Sequence, residues 1–163
     1  MNKKVFFLLL ALIVPVLVFS FLKFFGKNEF VVEPLFQTVD SKLPEGCQVK
    51  IPYTIPDSIY SFLKRGHEND SLLIVLFELH TKDLADSETQ LGRLQESFPL
   101  VNGLGLKRIS ASAGLSSCSL VLKSSLDMLL VDAKKRIRGQ YNSNDRDEVD
   151  RLMTELDIIL KRY

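Results

Sequence analysis

The chain reads as an α/β domain carried behind a single apolar helix, and three observations predict this. Ser71 to Leu79 is an almost unbroken apolar run of strand length, the pattern of a strand buried on both faces. A helix-period segment and a second strand-like run follow it, which together make a βαβ unit. From Leu129 to Met153 the chain reads as strand, turn, strand, polar loop and the start of a capped amphipathic helix.

Composition sets the outer limits. A chain of 163 residues, 46% apolar and 25% charged, is sized for one modest domain and is not disordered by composition. The formal net charge is +1, so nothing favours nucleic acid, whose phosphates demand a clustered basic surface. Lys134, Lys135, Arg136 and Arg138 form one basic cluster, read as a solvated turn and strand face.

The apolar surplus lies at the N-terminus. Val5 to Leu22 carries no charge over 18 residues. Residues 5–25 as a helix would span about 30 Å, enough to cross a bilayer. Lys3 and Lys4 precede the run and favour a cytoplasmic N-terminus. Lys23 can snorkel to the interface, and membrane helices tolerate a kink such as Pro15 would give. A cleaved signal peptide is the rival reading, with Val18-Phe19-Ser20 as its cleavage site. The apolar run continues past Ser20, which favours an uncleaved anchor, and no lipobox cysteine follows it. The expected organisation is an anchor over 1–27, a juxtamembrane linker over 28–46 and an exported domain over 47–163.

Within the exported part, Cys47 to Asp57 contains Pro52 and Pro56 and suits an extended edge segment rather than a central strand. Ser58 to Leu63 reads as a short strand and Lys64 to Asp70 as a polar turn. After the buried strand, Asp83 to Phe98 places Leu84, Leu91, Leu94 and Phe98 at helical spacing, and Pro99 ends the helix. Leu106 to Ser110 is the second strand, Ala111 to Ser117 a loop, and Ser119 to Lys123 a short strand. Met128–Asp132 and Arg136–Tyr141 form a hairpin around Ala133-Lys134-Lys135. Val149, Leu152, Met153, Leu156, Ile159 and Leu160 share one helical face. Asn144 or Asp145 caps that helix, and its acidic first turn suits the helix dipole. Strand–helix–strand followed by hairpin–helix is the order of a thioredoxin-like core, so the expected fold is a thioredoxin-like sheet with flanking helices.

Few residues offer chemistry. Cys47 and Cys118 both lie in the exported part, where an oxidising compartment permits a bridge. Such a bridge would contribute roughly 4 kcal/mol by loop closure. Two separate buried thiols are the favoured alternative, because spacing alone does not bring two Cβ atoms together. His80 closes the buried strand just before the helix. A histidine there can bind metal or titrate near neutrality, and the plainer reading is a polar residue ending a strand. Cys118 can approach it as a thiolate–imidazole pair, although two ligands leave a metal underligated. His67 reads as a solvated turn residue. Asp83, Asp86 and Glu88 open a helix, where carboxylates are favoured without catalysis. Gly103-Leu-Gly105 lacks the third glycine of a dinucleotide fingerprint. Asn69-Asp70-Ser71 matches a glycosylation sequon. No nucleophile elbow, phosphate loop or zinc motif is present.

Two stretches carry a family likeness. Pro52-Tyr-Thr-Ile-Pro-Asp57 is one. The other is the tail: Leu130-Val-Asp132, Ile137-Arg-Gly139 with Tyr141, and Glu148-Val-Asp-Arg-Leu152. Together with Leu73–Phe77, Gln90–Gln95 and the apolar N-terminus, they resemble the SCO/SenC family. These are membrane-anchored, thioredoxin-like copper chaperones of cytochrome oxidase assembly. Family members carry Cys-x-x-x-Cys between the core strand and helix, and a histidine just before the penultimate strand. Those positions fall here at about His80, Leu84 and Ser124, and no Cys-x-x-x-Cys occurs. The segment between helix and hairpin is also shorter than the family's. The resemblance therefore implies a degenerate member, without catalytic residues, copper ligands or any cofactor. Such a protein would be no enzyme and would act by protein contact beside a respiratory oxidase or one of its assembly proteins. It would sit in the bacterial inner membrane with its C-terminal domain in the periplasm. The alternatives are a metal or thiol carrier using Cys47, Cys118 and His80, and a structural envelope protein of unrelated role.

Overall fold

The computed structural model describes residues 3–25, 31–39, 41, 43–44, 46–78, 84–98, 103–110 and 117–160. The chain divides into two compact units, Met1–Val31 and Val32–Tyr163. The first unit holds helix α1, Lys3–Phe25, with Pro15 inside it. Its Lys3–Phe21 stretch has a mean hydropathy of 2.6 and is long and apolar enough to cross a membrane.

The second unit is mixed α/β. Its elements are α2 (Asp57–Lys64), β1 (Leu72–Glu78), α3 (Leu84–Ser97), β2 (Leu104–Ser110), β3 (Met128–Asp132), β4 (Ile137–Tyr141) and α4 (Arg146–Leu160). The four strands form one sheet in the order β2-β1-β3-β4. β1 and β2 run parallel, as a helical crossover requires, while β3 runs antiparallel to both β1 and β4.

β1 is apolar from Leu72 to Phe77 because both faces of that stretch are covered. Leu73, Val75 and Phe77 face a core with Tyr53, Ile55, Leu63 and Val121. Leu72, Ile74 and Leu76 face a second core with Leu91 and Leu94 of α3 and Val149, Leu152 and Leu156 of α4. The period of two along a strand divides the residues in this way. α4 begins where expected. Asp145 Oδ1 accepts the Asp147 N–H at 3.0 Å, and the Asp145 carbonyl accepts from Val149 at 3.1 Å, so Asp145 is the cap. Arg93 of α3 meets Asp150 of α4 at 2.6 Å.

Four expectations change. Ser58 to Leu63 is not a strand but most of α2. Pro56 precedes the helix, Asp57 opens it, and Ile59 and Leu63 meet the core one turn apart. Six residues are too few for that period to stand out from a strand's. Ser119 to Lys123 is not a strand either. Ser117–Ser119 forms a 3₁₀ turn, and Val121 lies in the left-handed region at φ +50°, which breaks extended pairing. The basic cluster is not simply solvated. Arg138 is 8% exposed, and Arg136 and Arg138 both reach the buried carboxylate of Asp132, at 2.7 and 3.6 Å. The segment after α1 is more than a tether from Val32 onward: the Leu35 N–H donates to the Ile137 carbonyl at 2.8 Å, and Phe36 is buried.

The β4 sequence Ile137-Arg-Gly-Gln-Tyr141 has a steric logic. The Tyr141 ring lies back over Gly139, where a Cβ would collide with the phenol oxygen and the ring carbon bearing it. The Tyr141 hydroxyl donates to Glu155 of α4 at 2.6 Å, and the Arg151 guanidinium stacks 4.8 Å from the ring centroid. The Gly139→Ala substitution is expected to destabilise the domain by about 1–3 kcal/mol through overpacking, read as a lower urea midpoint. Burial, then the Glu155 carboxylate, holds the Tyr141 phenol protonated well above its ordinary value of 10.0. The native state therefore keeps a proton that the unfolded chain loses. Stability from this group is complete below pH 10 and falls as pH rises toward the raised native value. Tyr141→Phe should flatten the alkaline stability curve by up to about 1.4 kcal/mol per pH unit, measured by denaturation between pH 9 and pH 11.

Candidate functional site

The end of β1 and the start of α3 are where the fold would present a reactive group. His80 and Asp83 lie there, outside the described residues. Among the described residues, α3 takes part in a buried polar tie. Ser87 in α3 donates to Ser143 at 2.8 Å, and the Ser143 hydroxyl and N–H donate to the two oxygens of Asp127 at 2.6 and 2.7 Å. The Asp127 carbonyl accepts from Phe77 of β1 at 2.8 Å. Asp127 is 2% exposed, so its carboxylate needs these donors. They pin α3 and the β4–α4 connection to the start of β3. Nothing in the sequence marks Asp127 apart from other loop carboxylates.

The other acidic candidates of α3 do not form a pair. Asp86 is exposed. Glu88 accepts from Arg108 of β2 at 3.0 Å, and that guanidinium holds its carboxyl below the usual range. Ser124, aligned with the family's histidine, is exposed just before β3. His67 is not a solvated turn residue. Its Nδ1 lies 2.8 Å from Asp70, and the pair sits directly on Gly105 of β2, where a Cβ would come within 2.5 Å of the ring.

The cysteines meet, and the expectation of two separate thiols is overturned. Cys47 and Cys118 form a disulfide with Cα atoms 5.2 Å apart, across a sequence separation of 71. The Tyr53 hydroxyl bonds the Ser119 carbonyl at 2.6 Å, and Leu120 and Val121 enter the same core as Tyr53. Packing thus brings the two segments together, which spacing could not reveal. While bonded, neither sulfur is a thiolate, the form that ligates metal or attacks a disulfide. Among the described residues, no group of three or more His, Cys, Asp or Glu side chains is placed to hold a metal ion.

A concavity of about 650 Å³ lies beside β4. Arg138, Gly139 and Gln140 line it from β4, and Glu148, Arg151 and Glu155 from α4. Val32, Glu33, Leu35, Phe36 and Ser41 supply one further part of the lining, and Lys123, Ser125 and Leu126 another. Irregular backbone gathers around it. Phe36 has φ +57° and Val121 has φ +50°, both unusual for bulky residues. The Gln140 amide donates to the Val121 carbonyl at 2.6 Å. The β3–β4 register shifts between Leu130 and Val131, leaving Arg138 as the extra residue of a bulge, a device that re-aims a side chain. Sequence reasoning placed Arg138 on a solvated turn and strand face and missed this cleft.

Loss of the disulfide in a Cys47→Ser, Cys118→Ser double variant should lower stability by about 2–4 kcal/mol, measured by urea denaturation. Peptide mapping without reductant should recover the two cysteines in one linked fragment. In comparisons with known proteins, no family model, no curated protein and no solved structure matches this chain.

Proposed function

We propose that this chain is a membrane-anchored, thioredoxin-like binding protein, a degenerate relative of the SCO/SenC proteins that works by protein contact rather than catalysis. The observation that carries this reading is the sheet order β2-β1-β3-β4 with only β3 reversed. It is the arrangement expected of a thioredoxin-like core built as a βαβ unit plus a hairpin. The helices α3 and α4 on one face and α2 on the other support it further. One departure counts against a close match: residues 117–127, leading into β3, contain only a 3₁₀ turn.

The proposed address is the periplasmic face of a bacterial inner membrane. The apolar α1 supplies the anchor, and Lys3 and Lys4 favour a cytoplasmic N-terminus. A disulfide suits an oxidising compartment. The proposed partner is a respiratory oxidase or an assembly protein of one. The second reading, a metal or thiol carrier, is favoured only by the proximity of Cys47 and Cys118, and it needs them reduced.

Two measurements test the proposal. In intact cells, externally added protease should remove the C-terminal domain only after the outer membrane is opened. Deletion of the protein should lower cytochrome oxidase activity, and a Cys47→Ser, Cys118→Ser variant that still accumulates should restore it. Unchanged oxidase activity on deletion would refute the assembly role. Stoichiometric Cu(I) on the reduced full-length protein, lost in that variant, would favour the carrier instead.

A further inference from the structure

We propose that the cleft beside β4 is a binding site for a carboxylate carried on an apolar body, with Arg138 as the anchoring cation. This is independent of the membrane and family readings above. The bulge turns Arg138 inward, and the residue is 8% exposed. One terminal nitrogen of its guanidinium donates to the Val32 carbonyl. The other lies 3.6 Å from Asp132, whose carboxylate already accepts from Arg136 Nε at 2.9 Å. Arg138 Nε is buried with no partner. Two guanidiniums thus share one carboxylate, and the deeper one is left short of both charge and acceptors. A buried cation in that position is costly unless an anion completes it.

The other charges around the cleft leave room for such an anion. Glu148 and Glu155 are engaged by Arg151, and Glu155 also accepts from Tyr141. Glu33 lies exposed on the rim, as does Lys123, whose amine adds positive charge. Val32, Leu35, Phe36 and Leu126 give the cleft an apolar part of its lining. A planar carboxylate suits a guanidinium edge, and an aliphatic group suits that lining. A small branched acid and the C-terminal residue of a peptide share this chemistry.

The full-length protein in detergent, labelled with ¹⁵N-arginine, permits a direct test. The Arg138 Nε–H resonance is assigned by its loss in Arg138→Lys and followed against four probes: isovalerate, N-acetyl-leucine, N-acetyl-leucinamide and inorganic phosphate. The proposal expects a saturable shift with the two acids and none with the amide. Tighter binding of N-acetyl-leucine than of isovalerate identifies a peptide terminus, and the reverse a small acid. Arg138→Lys removes that reporter, so its binding of N-acetyl-leucine is read by titration calorimetry, and should be about tenfold weaker, since an ammonium lacks the planar fork. Leu126→Glu, a loop change that spares the bulge, should abolish acid binding even if Arg138→Lys fails to fold. Equal shifts with the amide, a response to phosphate matching that to the acids, or no shift with either acid at millimolar concentration would overturn the assignment.

Discussion

Leu72 to Phe77 has no face turned to water, and that constraint organises the domain. Every residue of this stretch is at most 8% exposed, so each side chain needs a covering layer. One layer is α3 and α4, which present Leu91, Leu94, Val149, Leu152 and Leu156. The other is assembled from less regular pieces: Tyr53, Ile55, α2 and the turn at Leu120 and Val121. Burying a large aliphatic side chain contributes about 1.5–3 kcal/mol, so neither layer is dispensable. The helical layer is built from local periodic elements. The irregular layer draws on segments distant in sequence, and it is there that the disulfide is found. A covalent tie between residues 47 and 118 limits the freedom of chain that no helix or strand would otherwise order.

The tail that carries the family likeness is explained residue by residue by packing. Ile137 enters the irregular core. Asp132 closes the hairpin, its Oδ1 accepting the N–H groups of Lys134 and Arg136 at 2.9 and 3.0 Å. Gly139 leaves space for the ring of Tyr141, and Tyr141 holds Glu155 of the last helix. A pattern of aspartate, isoleucine, arginine, glycine and tyrosine therefore encodes a hairpin locked to a helix. Such a pattern speaks for architecture. It says nothing about copper or any other ligand.

Elements with long periodic or alternating signals were legible in the sequence. β1, the β3–β4 hairpin and α4 stand within a residue or so of their expected limits, because each is set by its own apolar pattern and by a local turn or cap. α2 was not legible, since a helix of eight residues offers barely two turns of pattern. The segment at 119–123 misled for the opposite reason. Its apolar residues Leu120 and Val121 are buried by distant contacts while the backbone turns, so apolar character and strand conformation part company. The disulfide and the cleft depend on which loops meet in space, and no window of sequence contains both partners. Arg138 illustrates the same limit: a charge beside three other cations reads as surface until the bulge and Asp132 draw it inward.

Among the described residues, two of the three non-glycine residues with positive φ, Phe36 and Val121, and one of the two unpartnered buried side-chain atoms, Arg138 Nε, lie at or beside the cleft. Left-handed conformations at Phe36 and Val121 cost on the order of 1–3 kcal/mol each and persist only when their surroundings over-determine them. At Val121 those surroundings are the core, the Gln140 amide and a backbone bond to Cys118 at 3.3 Å. Through Cys118 the disulfide is joined to the same turn, which leads on to Lys123, Ser125 and Leu126 of the cleft lining. The lining at Leu35 and Phe36 is held by backbone bonds to Ile137 and Tyr53. Gln140 and Arg138 lie on β4, which is itself clamped through Tyr141 and Arg151 to α4. A concavity defined by a covalent tie, an edge strand and a capped helix is rigid before anything enters it. Preorganisation of that kind lowers the entropic cost of binding, and it gives a buried, under-neutralised arginine a fixed place from which to select its ligand.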